Sequence, residues 1–347
     1  MKKKLMISIT CIISVSLLMM AGAAIGEEYP QIKLRYANFV PEKAPTSKAD
    51  IFVAEELTRR TNGRVKVTLY HGGSMGKSTE MIDLVGEGAI EIGNFSSAYN
   101  FARLPMQIFG NVPIVMDSAV MAGRVARGLF ATQPKMREDL KKNNLHVFNV
   151  RGLTPYRLIS TKPIRKIEDL KGLRVRTFGK ISPKMFKDLG AVPVTMTVSE
   201  SYEALQRGSV DAVYFSWTIM KIYKLHEVAK YLSDINFGAN ICYFTYINLD
   251  VWNSWPQNLK DLFNQVATEA AIRSDYETDK LDVILRDQMI KEGGLEYIHF
   301  EDQDKLIEAI KDPVGIPEAQ VAALGGDYVN AAKEAANWMR AELPKMK

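Results

Sequence analysis

The sequence predicts an α/β protein of two lobes bridged by one long helix. Strand-like and helix-like segments alternate through the first two thirds of the chain, the pattern of βαβ units. About 320 residues follow an N-terminal export segment, too many for one typical core. A stretch of about 35 residues after Pro256 contains neither proline nor glycine, long enough for a helix that reaches from one lobe to another.

The N-terminus sets the compartment. Lys2, Lys3 and Lys4 precede an apolar run from Leu5 to about Met20, and small residues follow, with Ala24 and Gly26 at the −3 and −1 positions of a cleavage site before Glu27. This is the pattern of a secretory signal peptide over residues 1–26, and it places the mature protein in the periplasm. The apolar run is short for a membrane span. Cleavage removes three lysines and no acid, so basic residues fall from 45 to 42 against 40 acidic. A net charge near +2, with no basic run, offers no field for nucleic acid. Of the two cysteines, Cys11 lies in the signal segment; Cys242 remains alone in an apolar run and is expected to act as a small buried hydrophobe.

The elements follow in order. Residues 32–37 alternate as a strand; Phe52, Ala54 and Leu57 recur at helical spacing up to the stop at Asn62-Gly63; residues 65–70 alternate again. A helix over 80–88 and a short strand over 90–93 come next, then strands over 145–150 and 173–176. Thr197 and Glu200 have the spacing of a capping box at the start of a helix over 198–207, and 210–215 form a strand. Leu259, Leu262, Phe263, Val266 and Ala270 mark the apolar stripe of the long helix, and 327–343 form an alanine-rich amphipathic helix. The alternation predicts parallel sheets.

Several chemistries are excluded. The histidines at 71, 146, 226 and 299 are scattered, without partners at helical spacing, so no metal site and no cofactor is expected. No nucleophile motif is present. His71-Gly72-Gly73-Ser74-Met75-Gly76-Lys77-Ser78 has histidine where a Walker A loop needs its first glycine, and reads as a βα connection.

One ordered set of segments carries more. It runs Thr61-Asn62-Gly63-Arg64-Val65, Gly72-Gly73-Ser74-Met75-Gly76, Glu87-Gly88-Ala89-Ile90-Glu91-Ile92-Gly93, Lys162-Pro163-Ile164, Asp169-Leu170-Lys171-Gly172-Leu173-Arg174-Val175-Arg176, and finally Glu200 to Asp211 through Tyr202, Leu205 and Gly208. In order and spacing this set resembles the solute-binding proteins of tripartite ATP-independent periplasmic (TRAP) transporters, the DctP type, over nearly the whole mature chain. The resemblance implies a periplasmic-binding-protein-like fold that is not an enzyme. It implies capture of a small carboxylate, an organic acid, by hinge closure, and delivery to the integral membrane subunits of the transporter. Lobe I would comprise 27–153 and 242–281, and lobe II 154–241 and 282–347.

The resemblance also places the carboxylate-binding arginine at Arg176. A guanidinium fork matches both carboxylate oxygens. Arg174 shares its strand face, so spacing alone does not choose between them. A second family arginine falls, without gaps, on Tyr156; a one-residue gap moves it to Arg157, the reading adopted here. Ser96 and Ser97 follow the 90–93 strand and are expected at the ligand. Phe39, Phe215 and Trp217 are expected to line a pocket more apolar than that of sialic-acid-binding relatives, from whose pattern Ser96, Val198 and Phe215 depart. The competing readings are a binding protein of an ATP-driven importer or of a sensor receptor, and an exported enzyme.

Overall fold

The computed structural model describes residues 29–346, so the export segment and its cleavage site lie outside the described residues, as does the side chain of Cys242. Among the described residues eleven strands form two sheets: β1 (Ile32–Asn38), β2 (Val65–Tyr70), β3 (Ile92–Phe95), β4 (Leu145–Leu153), β5 (Tyr156–Ser160), β6 (Arg174–Thr177), β7 (Val192–Thr195), β8 (Ala212–Ser216), β9 (Tyr231–Ser233), β10 (Asn240–Asn248) and β11 (Glu296–Ile298). The first sheet has the order β2-β1-β3-β10-β4 and the second β11-β9-β5-β8-β6-β7.

Both sheets are mixed, where the alternation alone predicted parallel ones. β1 runs parallel to β2 and β3, and β6 parallel to β7 and β8, as βαβ crossovers require. β10 lies antiparallel between β3 and β4, and β5 antiparallel between β8 and β9. These two strands adjoin the segments where the chain passes from one sheet to the other, so their direction is set by entry and return rather than by a crossover. The two passages are tied: Tyr156 N donates to Gly238 O at 2.8 Å, and Phe237 N to Tyr156 O at 3.0 Å.

The expected helix past Pro256 is a single element, Gln257–Gly293, of 37 residues, about 55 Å long at 1.5 Å per residue. Its first half buries Leu259, Phe263, Val266 and Ala270 on the first sheet; near its far end Met289 enters the core of the second. Between these ends the buried face is polar. Asp275 accepts from Gly152 N at 2.9 Å, Asp279 from Ala119 N at 2.7 Å, and Asp282 from Thr154 Oγ1 at 2.7 Å and Thr218 N at 3.1 Å. Three carboxylates spaced along one helix face thus satisfy backbone amides beside the passages between the sheets.

The Thr197–Glu200 capping box forms, with Thr197 N donating to Glu200 Oε2 at 2.7 Å. The strand expected over 90–93 begins two residues later, because Glu91 is engaged by Arg35, whose Nη2 and backbone N lie 2.6 and 2.7 Å from its carboxylate. The C-terminal helix, Asp327–Met346, was expected with lobe II. It packs instead into the first core: Ala332, Ala335, Ala336 and Met339 are fully buried in one cluster with Val125, Leu129 and Leu140, so the chain returns to the first lobe at its end.

Candidate functional site

The strand ends that approach one another between the sheets define the site. Phe39 follows β1, Ser96 follows β3, and Phe178 follows β6, which puts them at carboxyl ends of parallel strands, where open α/β sheets hold their ligands. With Tyr99, Leu153 and Tyr243 from the first lobe and Val198, Phe215, Ile219 and Tyr223 from the second, they enclose a cavity of about 20 Å³, room for about one water. Beyond Tyr99 a wider groove of about 450 Å³ opens outward between Phe101, Lys180, Met196 and Glu200.

Arg176 sits behind the second-lobe wall. Its strand is short, and register puts it opposite Val194 on β7 and Val213 on β8, so its side chain leaves an interior strand and is fully buried. Nη2 donates to Met196 O at 3.0 Å and to the Tyr99 hydroxyl at 3.2 Å, while Nη1 lies 3.5 Å from Tyr214 O. The guanidinium carbon stands 5.2 Å from the Phe178 ring centre and 5.1 Å from that of Phe215. Nε has no hydrogen-bond partner. No described carboxylate comes within 4.0 Å of this guanidinium. The Glu200 carboxylate, held below its usual range chiefly by Thr197 and to a lesser degree by the charges of Lys77 and Arg176, hydrogen-bonds that cap rather than the guanidinium. A buried charge without a counterion is costly unless something supplies one.

Arg174, two residues earlier, is different. Its side chain is 43% exposed and chelates Asp211 through Nε and Nη2, both at 2.9 Å. The two arginines share a strand face in sequence, yet one is a surface ion pair and the other a buried cation.

The other expected contacts divide. Phe39, Ser96 and Phe215 line the cavity. Arg157 and Trp217 do not. Arg157 donates to Asn236 Oδ1 at 2.6 Å and lies 4.8 Å over the Trp217 ring, on which Arg286 also packs, and burial lowers its pKa. The neighbouring Tyr156, at the ungapped position, belongs to the aromatic cluster beside Arg176, stacked 4.8 Å from Phe215. In register Arg157 lies opposite Phe215 and Arg176 opposite Val213, so the arginine starts on the strand face of Arg176, but its side chain turns to Asn236 and Trp217. Ser97 is buried and does not line the cavity.

Sequence reasoning missed Tyr99, Phe178, Tyr223 and Tyr243. Phe178 had a signal: an aromatic directly after a strand and before Gly179. Tyr243 had none, because its role depends on distant partners. Its hydroxyl donates to Asn38 Oδ1 at 3.0 Å and lies 3.2 Å from Asp50 Oδ2. Asp50 pairs with Arg151 at 2.6 Å, both buried, and Arg151 lies 3.9 Å over the Tyr243 ring. Burial of this cluster raises the Tyr243 phenol above its usual range. The pair therefore props one cavity wall from behind.

Among the described residues no group of three metal-ligating side chains converges, and no helix is long and apolar enough to cross a membrane.

Comparison with known proteins places this architecture. The family described as bacterial extracellular solute-binding protein, family 7 (DctP), matches residues 36–312. A solute-binding protein of Roseobacter denitrificans is 26% identical over 280 residues, covering 80% of this chain and 81% of its own length. The C4-dicarboxylate-binding periplasmic protein DctP of Rhodobacter capsulatus is 25% identical over 256 residues, covering 71% and 72%. The TRAP periplasmic solute-binding protein of Desulfovibrio salexigens superposes with a TM-score of 0.72 at 26% identity, covering 90% of this chain and 97% of that one. A marine metagenome TRAP solute-binding protein crystallised with 3-hydroxybenzoate has the same fold, with a TM-score of 0.80 at 22% identity over 90% and 99% of the two chains. The chain belongs to family 7 of the bacterial extracellular solute-binding proteins, the DctP family of the TRAP transporters.

Proposed function

We propose that this protein captures a small organic acid between its lobes, holds the carboxylate on Arg176, and presents the closed complex to the membrane subunits of a TRAP transporter. The observation that carries the reading is the buried Arg176 guanidinium, with an unpartnered Nε and no described carboxylate within 4.0 Å. A ligand carboxylate supplies the missing counterion, and closure removes water from the pair, which strengthens it. The relatives support the class: one is a C4-dicarboxylate-binding protein, and related solved structures hold galacturonate, glucuronate or 3-hydroxybenzoate, all acids.

The cycle needs no covalent step. With the lobes apart, the acid enters by the groove beside Tyr99; the hinge strands and the long helix then close over it. Export by residues 1–26, cleavage near Gly26 and periplasmic residence complete the reading, which the periplasmic relatives support.

A thermal-shift screen of the purified protein against carboxylic acids, neutral sugars and amino acids tests it. Binding at about 100 times the dissociation constant adds about 2.7 kcal/mol of stability. Stabilisation confined to acids is the expected result. Stabilisation by neutral sugars alone refutes it.

A further inference from the structure

The cavity that Arg176 backs has an unusual wall for a site that must hold an acid. Six of its ten lining residues are aromatic: Phe39, Tyr99, Phe178, Phe215, Tyr223 and Tyr243. The other four are Ser96, Leu153, Val198 and Ile219, so the wall contains no carboxamide, carboxylate or second cation. Neither Arg151, paired with Asp50, nor Arg157, set against Asn236 and the Trp217 ring with its Nε unpartnered, lines this cavity.

From this wall we infer that the ligand is a monocarboxylate with an apolar aromatic body. The inference rests on the Arg176 reading and narrows it. A sugar acid carries a ring of hydroxyls, and each one buried without a partner weakens binding by about tenfold. The wall offers only Ser96 and three tyrosine hydroxyls. Two of those are taken: Tyr243 by Asn38 and Asp50, and Tyr99 as acceptor from Arg176 and Val198 N. A dicarboxylate would bury its second charge against these rings with no cation in the lining to meet it. An aromatic ring meets faces and edges already arranged in pairs: Phe178 and Phe215 stack with centres 5.8 Å apart, and Phe39 tilts over Tyr243 at 5.9 Å.

The small present volume says how the ligand gets in. Tyr99 stands in the wall of both the cavity and the outer groove. Its hydroxyl accepts from Arg176 Nη2 at 3.2 Å and Val198 N at 3.3 Å. A carboxylate oxygen that replaces this acceptor inherits both donors, and the displaced phenol ring joins the two spaces into one that admits a ring.

Calorimetry on the purified protein, stripped of co-purified ligand by unfolding and refolding, decides it. The panel is benzoate, 3-hydroxybenzoate, phenylacetate, cyclohexanecarboxylate, succinate and glucuronate, against the wild type, Arg176→Gln and Phe39→Ala. The expected result is binding of at least one aromatic acid at least about 100-fold tighter than succinate or glucuronate. Phe39→Ala, at a partly exposed position, should weaken the aromatic acid about tenfold or more. Succinate or glucuronate binding as tightly as the aromatic acids, but lost in Arg176→Gln, overturns this inference while Arg176 keeps its role. Cyclohexanecarboxylate matching the aromatic acids also overturns it. Failure of every acid, or retention of binding in Arg176→Gln, overturns both.

Discussion

Replacing Arg176 with methionine separates a binding arginine from a structural one, because the two roles move different quantities. In the ligand-free protein the guanidinium makes two good hydrogen bonds, at 3.0 and 3.2 Å; the contact at 3.5 Å is marginal. From a charged donor these are worth about 1.5–3 kcal/mol each, and each ring contact beyond 5 Å adds about 0.5–2 kcal/mol. Against them stands the effective cost of burying the ion, several kcal/mol, with no described carboxylate within 4.0 Å to offset it. The gains, about 4–10 kcal/mol in all, and the burial cost are of the same order and opposed in sign. Arg176→Met is therefore expected to change the ligand-free unfolding free energy by less than about 2 kcal/mol in urea titrations. In the complex the same change leaves a buried carboxylate unpaired, at about 3–5 kcal/mol, or roughly 10²–10⁴-fold in Kd. An unfolding free energy lowered by more than about 4 kcal/mol, with affinity kept, would refute the reasoning and make Arg176 a structural residue.

Further outcomes follow from the surrounding network. Burial pushes Asp275 up to about 6 from 3.8 despite Arg127 at 2.9 Å. Its folded pKa lies above its unfolded one, so its stabilising contribution, about 3 kcal/mol, is present below about pH 4 and lost as pH rises through 6. His146, held down to about 4 by burial, acts in the opposite sense over the same range. The signature is thus a difference: Asp275→Asn should remove a component of stability that falls between pH 4 and 6 in the wild type, and identical pH profiles refute it. Arg151→Met strands Asp50 inside the first lobe and should cost about 3–5 kcal/mol, with partial recovery when Asp50→Asn is added; a loss under about 1 kcal/mol in chemical denaturation contradicts the assigned pairing. Tyr99→Phe removes the hydroxyl that takes hydrogen bonds from Arg176 and Val198 across the cleft. The balance between closed and open lobes should then shift toward open, seen as a larger radius of gyration in small-angle scattering, and an unchanged radius means that the hydroxyl does not hold the lobes.

Much of the architecture was legible in the sequence because it rests on local periodicity. Strands such as 32–37 and 65–70 alternate, and the capping box at Thr197 and Glu200 formed as spaced. The 37-residue helix announced itself by the absence of breakers. Such signals are read over a few residues and need no partner. The order of motifs across the mature chain pointed to the family, and the match over residues 36–312 shows it.

Other features depended on which distant segments meet. The antiparallel strands β5 and β10 follow from where the chain crosses between sheets, and the return of the Asp327–Met346 helix to the first core from its packing. Arg174 and Arg176 are indistinguishable by spacing; one found Asp211, 37 positions away, and the other lies behind the cavity wall against the Phe178 and Phe215 rings. Arg157 and Tyr156 differ by one residue, and only the folded chain shows that the tyrosine ring stacks on Phe215 while the arginine turns to Asn236 and Trp217. The amino-acid sequence by itself determined the class, the bridging helix and the family, because those are written in short-range pattern. Tertiary structure alone decided which cation is buried without a counterion and which rings surround it, because burial and pairing belong to segments that meet only in the folded chain.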